Sequence, residues 1–348
     1  MRYLPIARLS AGMALGQDIY DGEGRMLLAR HLILDKEYIA NLEELGFPGV
    51  YIDDKFTAGI EIEEVLSPEV KCQALKLVQN FFLEESGSSK LEENKIRNLI
   101  EKIVREVLSD GDLMYNMMDL KTYDDYTYFH SVNVATLSCV IGARYKMSED
   151  QLKLLTTAAM LHDIGKKFLE LDILNAKRAL SDAEKRMMLQ HPKLGYEYLK
   201  KNFRFGMEVC EGILEHHEWY NGEGYPLRKS GNDISIFARI IKLADVYDAM
   251  TSKRPYHEAL SPSDAVEYIM AMNETEFDPE MVNVFVRWVA VYPIGCEVEL
   301  SNGQRAIVVK NFHDFVLRPI VKIIDSGKTL NLKMDNEARN ITIVNMIA

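Results

Sequence analysis

No run of apolar residues in this chain is long enough to cross a membrane. The most apolar extended segment of the 348 residues, Val132 to Ala143, falls short of the about 20 residues that a spanning helix needs. Met1 to Ser10 carry Arg2 and Arg8 and no uninterrupted apolar stretch, so no secretory signal is expected there. Cysteine is scarce. Cys72, Cys139, Cys210 and Cys296 are far apart and form no CxxC pair, which excludes a disulfide frame or a zinc knuckle and predicts reduced thiols in a cytoplasmic protein. Positive charge is also in short supply: 41 basic residues face 53 acidic ones, a formal −12. That balance argues against the extended basic surface that grips a nucleic-acid polymer. A small anionic ligand held by a few local positive groups or by metal ions stays compatible with it, and the balance leaves open where such positive charge would come from.

What is present is an ordinary globular composition, 47% apolar and 27% charged, on a chain long enough for two or three domains of roughly 100–200 residues each. Residues 1–58 read as a small α+β module. Met13 to Tyr20 and Arg25 to Leu28 are its expected strands, joined by the turn-rich Asp21-Gly22-Glu23-Gly24. Leu34 to Leu45 is an expected amphipathic helix ended by Gly46, and Val50 to Asp53 a further strand. Residues 59–112 read as a helical connector, Glu61 to Glu85 and Lys90 to Leu108, on either side of Ser86-Gly87-Ser88-Ser89. Ile96, Leu99, Ile100, Ile103, Val104 and Val107 keep helical spacing there; an intramolecular packing face is the first reading of that stripe and a homodimer contact the second. Residues 113–291 run helix after helix. Residues 292–348 turn to strands, with a hairpin of Glu297 to Leu300 and Arg305 to Lys310 about Asn302-Gly303, followed by Val316 to Asp325 and Ile341 to Met346.

The chemistry concentrates in the helical block. His162-Asp163 stands at the end of a helix that starts near Glu149. Adjacent side chains on a helix diverge by about 100°, so both can address one centre only at a helix end or bend, and Gly165 is the expected bend. Lys166 follows His162 by four residues and returns to the same face. His191 precedes Pro192 at a helix entrance, and His216-His217-Glu218 closes the apolar stretch Met207 to Leu214. Asp245 lies in the apolar run Ile240 to Val246, where a carboxylate is costly unless paired or bound to a metal. A lone histidine such as His130 is ordinarily a packed or capping residue. The recurrence of imidazoles and carboxylates at helix ends suits zinc, manganese or iron, and offers more ligands than one tetrahedral ion needs.

His162-Asp163-Ile164-Gly165-Lys166, His216-His217-Glu218 and Asn221-Gly222-Glu223-Gly224-Tyr225-Pro226 together resemble the HD-GYP family, a subgroup of the HD superfamily of metal-dependent phosphohydrolases. Tyr126 to Ala135 upstream and Ala244 to Tyr256 downstream agree with it, and the likeness covers Tyr115 to Val291. The resemblance implies a mainly α protein: an HD-type all-helical domain flanked by a small N-terminal α+β module and a small C-terminal β module. It implies hydrolysis of cyclic di-GMP, a bacterial second messenger, to pGpG, with pGpG or GMP as the end product. Carried over by motif, His130, His162, Asp163 and Asp245 would hold one metal ion, and Asp163 would bridge to a second held by His191, His216 and His217. Iron or manganese is expected, with zinc, nickel, cobalt or magnesium as substitutes in a purified sample. A water shared by two such ions is acidified to near neutral pH and attacks the phosphorus in line. Lys166 is then placed to neutralise a non-bridging phosphate oxygen, its bland alternative being a solvated lysine.

The resemblance also marks Arg254 as a phosphate-binding residue, with a surface ion pair as the alternative. His257 stands where many members carry a basic residue, which would weaken one phosphate contact. Tyr225 would stack on a base or pack against the metal-site helices, and the loop Gly224-Tyr225-Pro226 is expected to be mainly structural, with an edge for substrate or for a diguanylate cyclase partner. Some members gain a third ion through a glutamate one turn before the first histidine; Tyr126 occupies that position and Asp124 and Asp125 are off its phase, so two ions are expected. The competing readings are a phosphodiesterase for another cyclic dinucleotide, such as cyclic GMP-AMP, and a non-catalytic nucleotide-sensing or docking module. Degenerate relatives usually lose ligands, and none is missing here.

Overall fold

The computed structural model describes all residues except 22–24, 58, 84–89, 110–113, 117–125, 175, 177, 253–258 and 348. The N-terminal module consists of β1 (Arg2–Pro5), β2 (Ala14–Leu15), β3 (Ile19–Tyr20), β4 (Met26–Leu28), α1 (Lys36–Glu44) and β5 (Gly49–Asp53). β5 pairs antiparallel with β1 on one side and β2 on the other, and β3 pairs with β4. The single strand expected over Met13 to Tyr20 is two, because the chain turns at Gly16, whose missing side chain admits Met1 and Tyr51. α1 begins where Asp35 accepts the Tyr38 N–H at 2.8 Å, a side-chain cap on an otherwise unpaired helix end. Leu4, Leu15, Leu34, Leu42, Phe47, Val50 and Ile52 form the core of this module.

The two following helices are α2 (Pro68–Leu83) and α3 (Lys90–Ser109). The first starts at Pro68, not at Glu61 as the pattern of residues predicts. Proline is tolerated only in a first helical turn, and Ser67 caps it through Val70 while Glu106 of α3 accepts from the Ser67 hydroxyl at 2.7 Å. The apolar faces of both helices, including Val70, Leu75, Val78, Ile96, Ile100 and Ile103, are buried in one core with the helical block.

That block is built from α4 (Tyr126–Arg144), α5 (Glu149–Leu161), α6 (Leu171–Leu174), α7 (Asp182–Met188), α8 (His191–Asn202), α9 (Met207–Glu215), α10 (Ile236–Thr251), α11 (Pro262–Ala271) and α12 (Pro279–Trp288). α4 packs against α5 and α10, α9 packs against α5, α8 and α10, and Tyr247 and Phe285 are fully buried between them. Among the described residues no helix is long and apolar enough to cross a membrane.

The C-terminal module is a five-stranded antiparallel sheet in the order β10-β6-β7-β8-β9, from β6 (Glu297–Leu300), β7 (Arg305–Lys310), β8 (Ile320–Ile323), β9 (Thr329–Asn331) and β10 (Ile343–Ile347). The expected hairpin is β6-β7, but its loop spans Ser301 to Gly303, with Gly303 at φ +80°. This is a three-residue loop with a left-handed glycine, not a two-residue Asn-Gly turn. β9 is too short and too polar to stand out in the sequence. The module meets the N-terminal one edge on: Tyr3 donates its N–H to the Gly295 carbonyl at 3.0 Å, and Arg8 reaches Glu297 at 2.7 Å. Residues of the N-terminal and C-terminal modules thus surround Glu297 together.

Candidate metal centre

Three helix ends and two helix interiors deliver the polar side chains of the block to one place. α5 stops at Leu161 with His162 as its C-cap, and Asp163 leaves the helix at φ −92°, ψ 3°, which turns its carboxylate back beside the imidazole. The bend is therefore at Asp163. Gly165, expected to provide it, is required for another reason: a Cβ there would press on the His191 carbonyl oxygen and stand 2.6 Å from the Gly195 nitrogen. His191 opens α8, and Pro192, which has no N–H to leave unpaired, suits its first turn. His216 caps the end of α9 and His217 follows it. His130 projects from the second turn of α4 and Asp245 from the middle of α10.

The carboxylate of Asp163 is shared between two groups of imidazoles. Its Oδ2 lies 3.4 Å from His162 Nε2 and 3.7 Å from His130 Nε2, and its Oδ1 lies 3.3 Å from His191 Nε2. Asp245 Oδ1 is 3.1 Å from His130 Nε2, and its Oδ2 is 4.0 Å from His217 Nδ1. Ligand atoms of His130, His162 and Asp245 converge within 4.8 Å of one another, as do those of His191, His216 and His217, and those of His162, Asp163 and His216.

The rings are oriented by what holds their outer nitrogens. His162, His191 and His216 each point Nδ1 at a main-chain carbonyl three residues back, Ala159, Met188 and Ile213, at 2.7, 2.8 and 2.6 Å. A carbonyl only accepts, so each Nδ1 donates and each Nε2 keeps its lone pair. His191 and His216 consequently aim two lone pairs at each other across 3.2 Å, an arrangement that is repulsive without a cation between them. His162 Nε2 and Asp163 Oδ1 are buried with no hydrogen-bond partner. Orphaned buried acceptors, neutral imidazoles and shared carboxylates fit a divalent transition-metal ion.

The electrostatics agree. Burial drives His191 down to about 4 and holds His216 and His217 well below the usual imidazole range, with neighbouring imidazoles adding to the effect. Burial opposes ionisation of Asp163 and Asp245, yet both stay well below the usual carboxylate range, because Lys166 and His162 outweigh it at the first and His130 and His217 at the second. At His162 burial again favours the neutral ring, but Asp163 prevails and raises it.

The structure brings together His130, His162, Asp163, His191, His216, His217 and Asp245, and adds Lys166, whose Nζ is 2.5 Å from Asp163 Oδ2. Tyr225 stacks on His217, ring centroids 4.8 Å apart at 18°. Arg254 and His257 lie outside the described residues, as do Asp124, Asp125 and the side chain of Tyr126.

Sequence reasoning gave no role to three buried acids around the centre. Asp248 Oδ2 is 2.7 Å from His130 Nδ1. Its signal was the three-residue spacing from Asp245 on one helix. Glu218 accepts the backbone N–H groups of Leu227, Arg228 and Lys229 at 2.5, 3.1 and 3.1 Å, which anchors the loop behind Tyr225. Glu215 pairs with Lys229 at 2.6 Å and accepts the Ser235 N–H at the start of α10. Gly224 is needed in this loop because its α-carbon lies against the backbone of Glu218 and Trp219.

A family model described as "HD domain" matches residues 102–281, and the chain belongs to that family. It is 31% identical over 268 residues to a cyclic di-GMP phosphodiesterase of Pseudomonas aeruginosa, covering 77% of this chain and 64% of that one. It is 36% identical over 149 residues to a cyclic di-GMP phosphodiesterase response regulator of Xanthomonas campestris, covering 42% of this chain and 39% of the relative. Over 177 residues it is 32% identical to a 3'3'-cGAMP-specific phosphodiesterase of Vibrio cholerae, covering 50% of this chain and 34% of the relative. The chain thus spans less than two thirds of the length of each of these curated relatives.

Proposed function

We propose that this protein is a phosphodiesterase that hydrolyses cyclic di-GMP to pGpG, with pGpG or GMP as the end product. The observation that carries the reading is the division of Asp163 between two imidazole groups, Oδ2 toward His130 and His162 and Oδ1 toward His191. On this reading His130, His162, Asp163 and Asp245 hold one divalent ion, and Asp163, His191, His216 and His217 hold another, with iron or manganese suited to the nitrogen-rich donor set. Such a pair of ions, when bound, supplies an acidified water at neutral pH and positive charge beside the phosphodiester.

The chain's own residues do the rest. Lys166, 28% exposed at the edge of the cluster, offers its ammonium to a non-bridging phosphate oxygen and gives up its present contact with Asp163 to do so. Main-chain carbonyls fix the tautomers of His162, His191 and His216 in advance, so little reorganisation accompanies loading. Tyr225 covers the face of His217 and limits water there. Arg254 is assigned to binding substrate phosphate. Beyond Tyr225, Leu227 is half exposed and forms the loop edge that a diguanylate cyclase domain would meet. The local cations and ions account for an anionic substrate on a chain of charge −12.

The test is turnover by purified protein loaded with Fe²⁺ or Mn²⁺, offered cyclic di-GMP and 3'3'-cyclic GMP-AMP separately, with products resolved chromatographically. Production of pGpG, lost on chelation and restored by metal, is expected. Faster cleavage of the mixed dinucleotide, the substrate named for the Vibrio relative, would reassign the specificity. No turnover of either by a metal-loaded sample would leave a sensing module.

A further inference from the structure

We propose that Asp248 makes His130 a metal ligand by holding the ring proton on Nδ1. This rests on the reading of His130 as a ligand given above. Asp248 is fully buried on α10, one turn after Asp245. The two acids grip one ring from opposite ends: Asp245 Oδ1 stands 3.1 Å from His130 Nε2, and Asp248 Oδ2 stands 2.7 Å from Nδ1. An ionised carboxylate only accepts, so Nδ1 donates to Asp248 and the Nε2 lone pair is released toward the cluster.

At His162, His191 and His216 the same task falls to backbone carbonyls, which no substitution at the carbonyl-bearing residue removes. At His130 it falls to a side chain, and a neighbour determines how that side chain can be replaced. Asn133 donates its amide N–H to Asp248 Oδ1 at 2.9 Å. An asparagine at 248 would keep its oxygen on Asn133 and turn its NH2 toward His130 Nδ1. Facing a donor, Nδ1 must accept; the proton moves to Nε2, and the lone pair aimed at the metal is lost while the packing is nearly unchanged. Asp248 Oδ2 also accepts from the Ser252 hydroxyl at 3.4 Å; on this account Asp248 is a positioning residue, and what it contributes to His130 is the polarity of the hydrogen bond at Nδ1.

The experiment uses the full chain and Zn²⁺ as a diamagnetic probe. Zinc-loaded wild type is expected to take up two equivalents and to show the His130 proton on Nδ1 in ¹⁵N–¹H imidazole spectra. D248N should keep its circular dichroism but bind zinc about 10–100-fold more weakly, the range for loss of an outer partner of a ligating histidine. Removing Asn133's hold in N133A/D248N lets the amide oxygen turn to His130, and zinc affinity should rise again by tenfold or more. A merely structural role for Asp248 would not produce that recovery. Wild-type zinc affinity in D248N, no recovery in the double variant, or a His130 proton on Nε2 in zinc-loaded wild type would each overturn the inference; the last holds even if D248N does not fold. Wild type that takes up no zinc would instead remove the metal-centre reading itself.

Discussion

Gly165 and His191 lie closer than any side chain at position 165 would permit. A Cβ there would press on the His191 carbonyl oxygen, so the turn after Asp163 can rest directly on the first turn of α8 only as glycine. That contact brings Asp163 Oδ1 to 3.3 Å from His191 Nε2 and so joins the two imidazole groups.

Gly165→Ala should therefore act on stability and on the centre together. Overpacking at a tight backbone contact typically costs about 1–3 kcal/mol. A lower melting temperature is expected, with reduced metal content on the His191 side. Thermal denaturation and metal analysis check it; an alanine variant that melts and loads like wild type would show that the backbone yields at no cost.

Asp163→Ala removes the carboxylate that faces both groups. It should lose both ions and more than about 100-fold of the activity, beyond the range seen for outer-shell partners alone. Metal analysis of the loaded variant, alongside the chromatographic assay, decides it. Retention of one ion at full occupancy would mean that the carboxylate serves one group only.

Glu297 is fully buried where the two ends of the chain meet, with Arg8 at 2.7 Å, Arg305 at 3.2 Å and Arg2 at 3.6 Å. Removing one partner from a buried ion pair strands the others, and with Arg8 and Arg305 partly in solvent the cost of Glu297→Gln should be about 2–4 kcal/mol. Denaturant unfolding measures it. A change under about 0.5 kcal/mol would show these pairs to be no stronger than surface ones.

The four thiols should react unequally. Burial pushes Cys139 up to about 12 and raises Cys210 and Cys296, all three enclosed; Cys72 is also raised by burial but is only half-buried. The thiolate is the reactive form, and a raised pKa leaves less of it at a given pH. Native protein should thus release one equivalent from a thiol reagent, at a rate that climbs with pH to above 9.0, and the remainder only on unfolding. Rapid labelling of more than one thiol in the folded state would contradict the burial.

Much of this was legible in the residues because helix and hairpin patterns are local. The helical block and the strand content of the flanking segments could be read from periodicity and from punctuation by Ser, Pro and Gly, whereas His130 became a candidate ligand only through the family resemblance. The errors fall where the deciding partner is distant in sequence. Met13 to Tyr20 looks like one strand until Met1 and Tyr51 occupy the space beside Gly16. Glu61 to Leu66 is compatible with a helix until Pro68 and Glu106 set its start.

The sequence by itself determined which side chains are available for metal chemistry and that each sits at the end or on the apolar face of a helix. Only the tertiary structure decided which of them share a centre, that Gly165 serves closeness and not a bend, and which groups Asp248, Glu218 and Glu215 hold. The reason is physical. A residue's tendency to start or stop a helix is set by its immediate neighbours, whereas the direction of a ring or carboxylate is set by whichever acceptor or donor packs against it, and for His130 that acceptor, Asp248, lies on another helix.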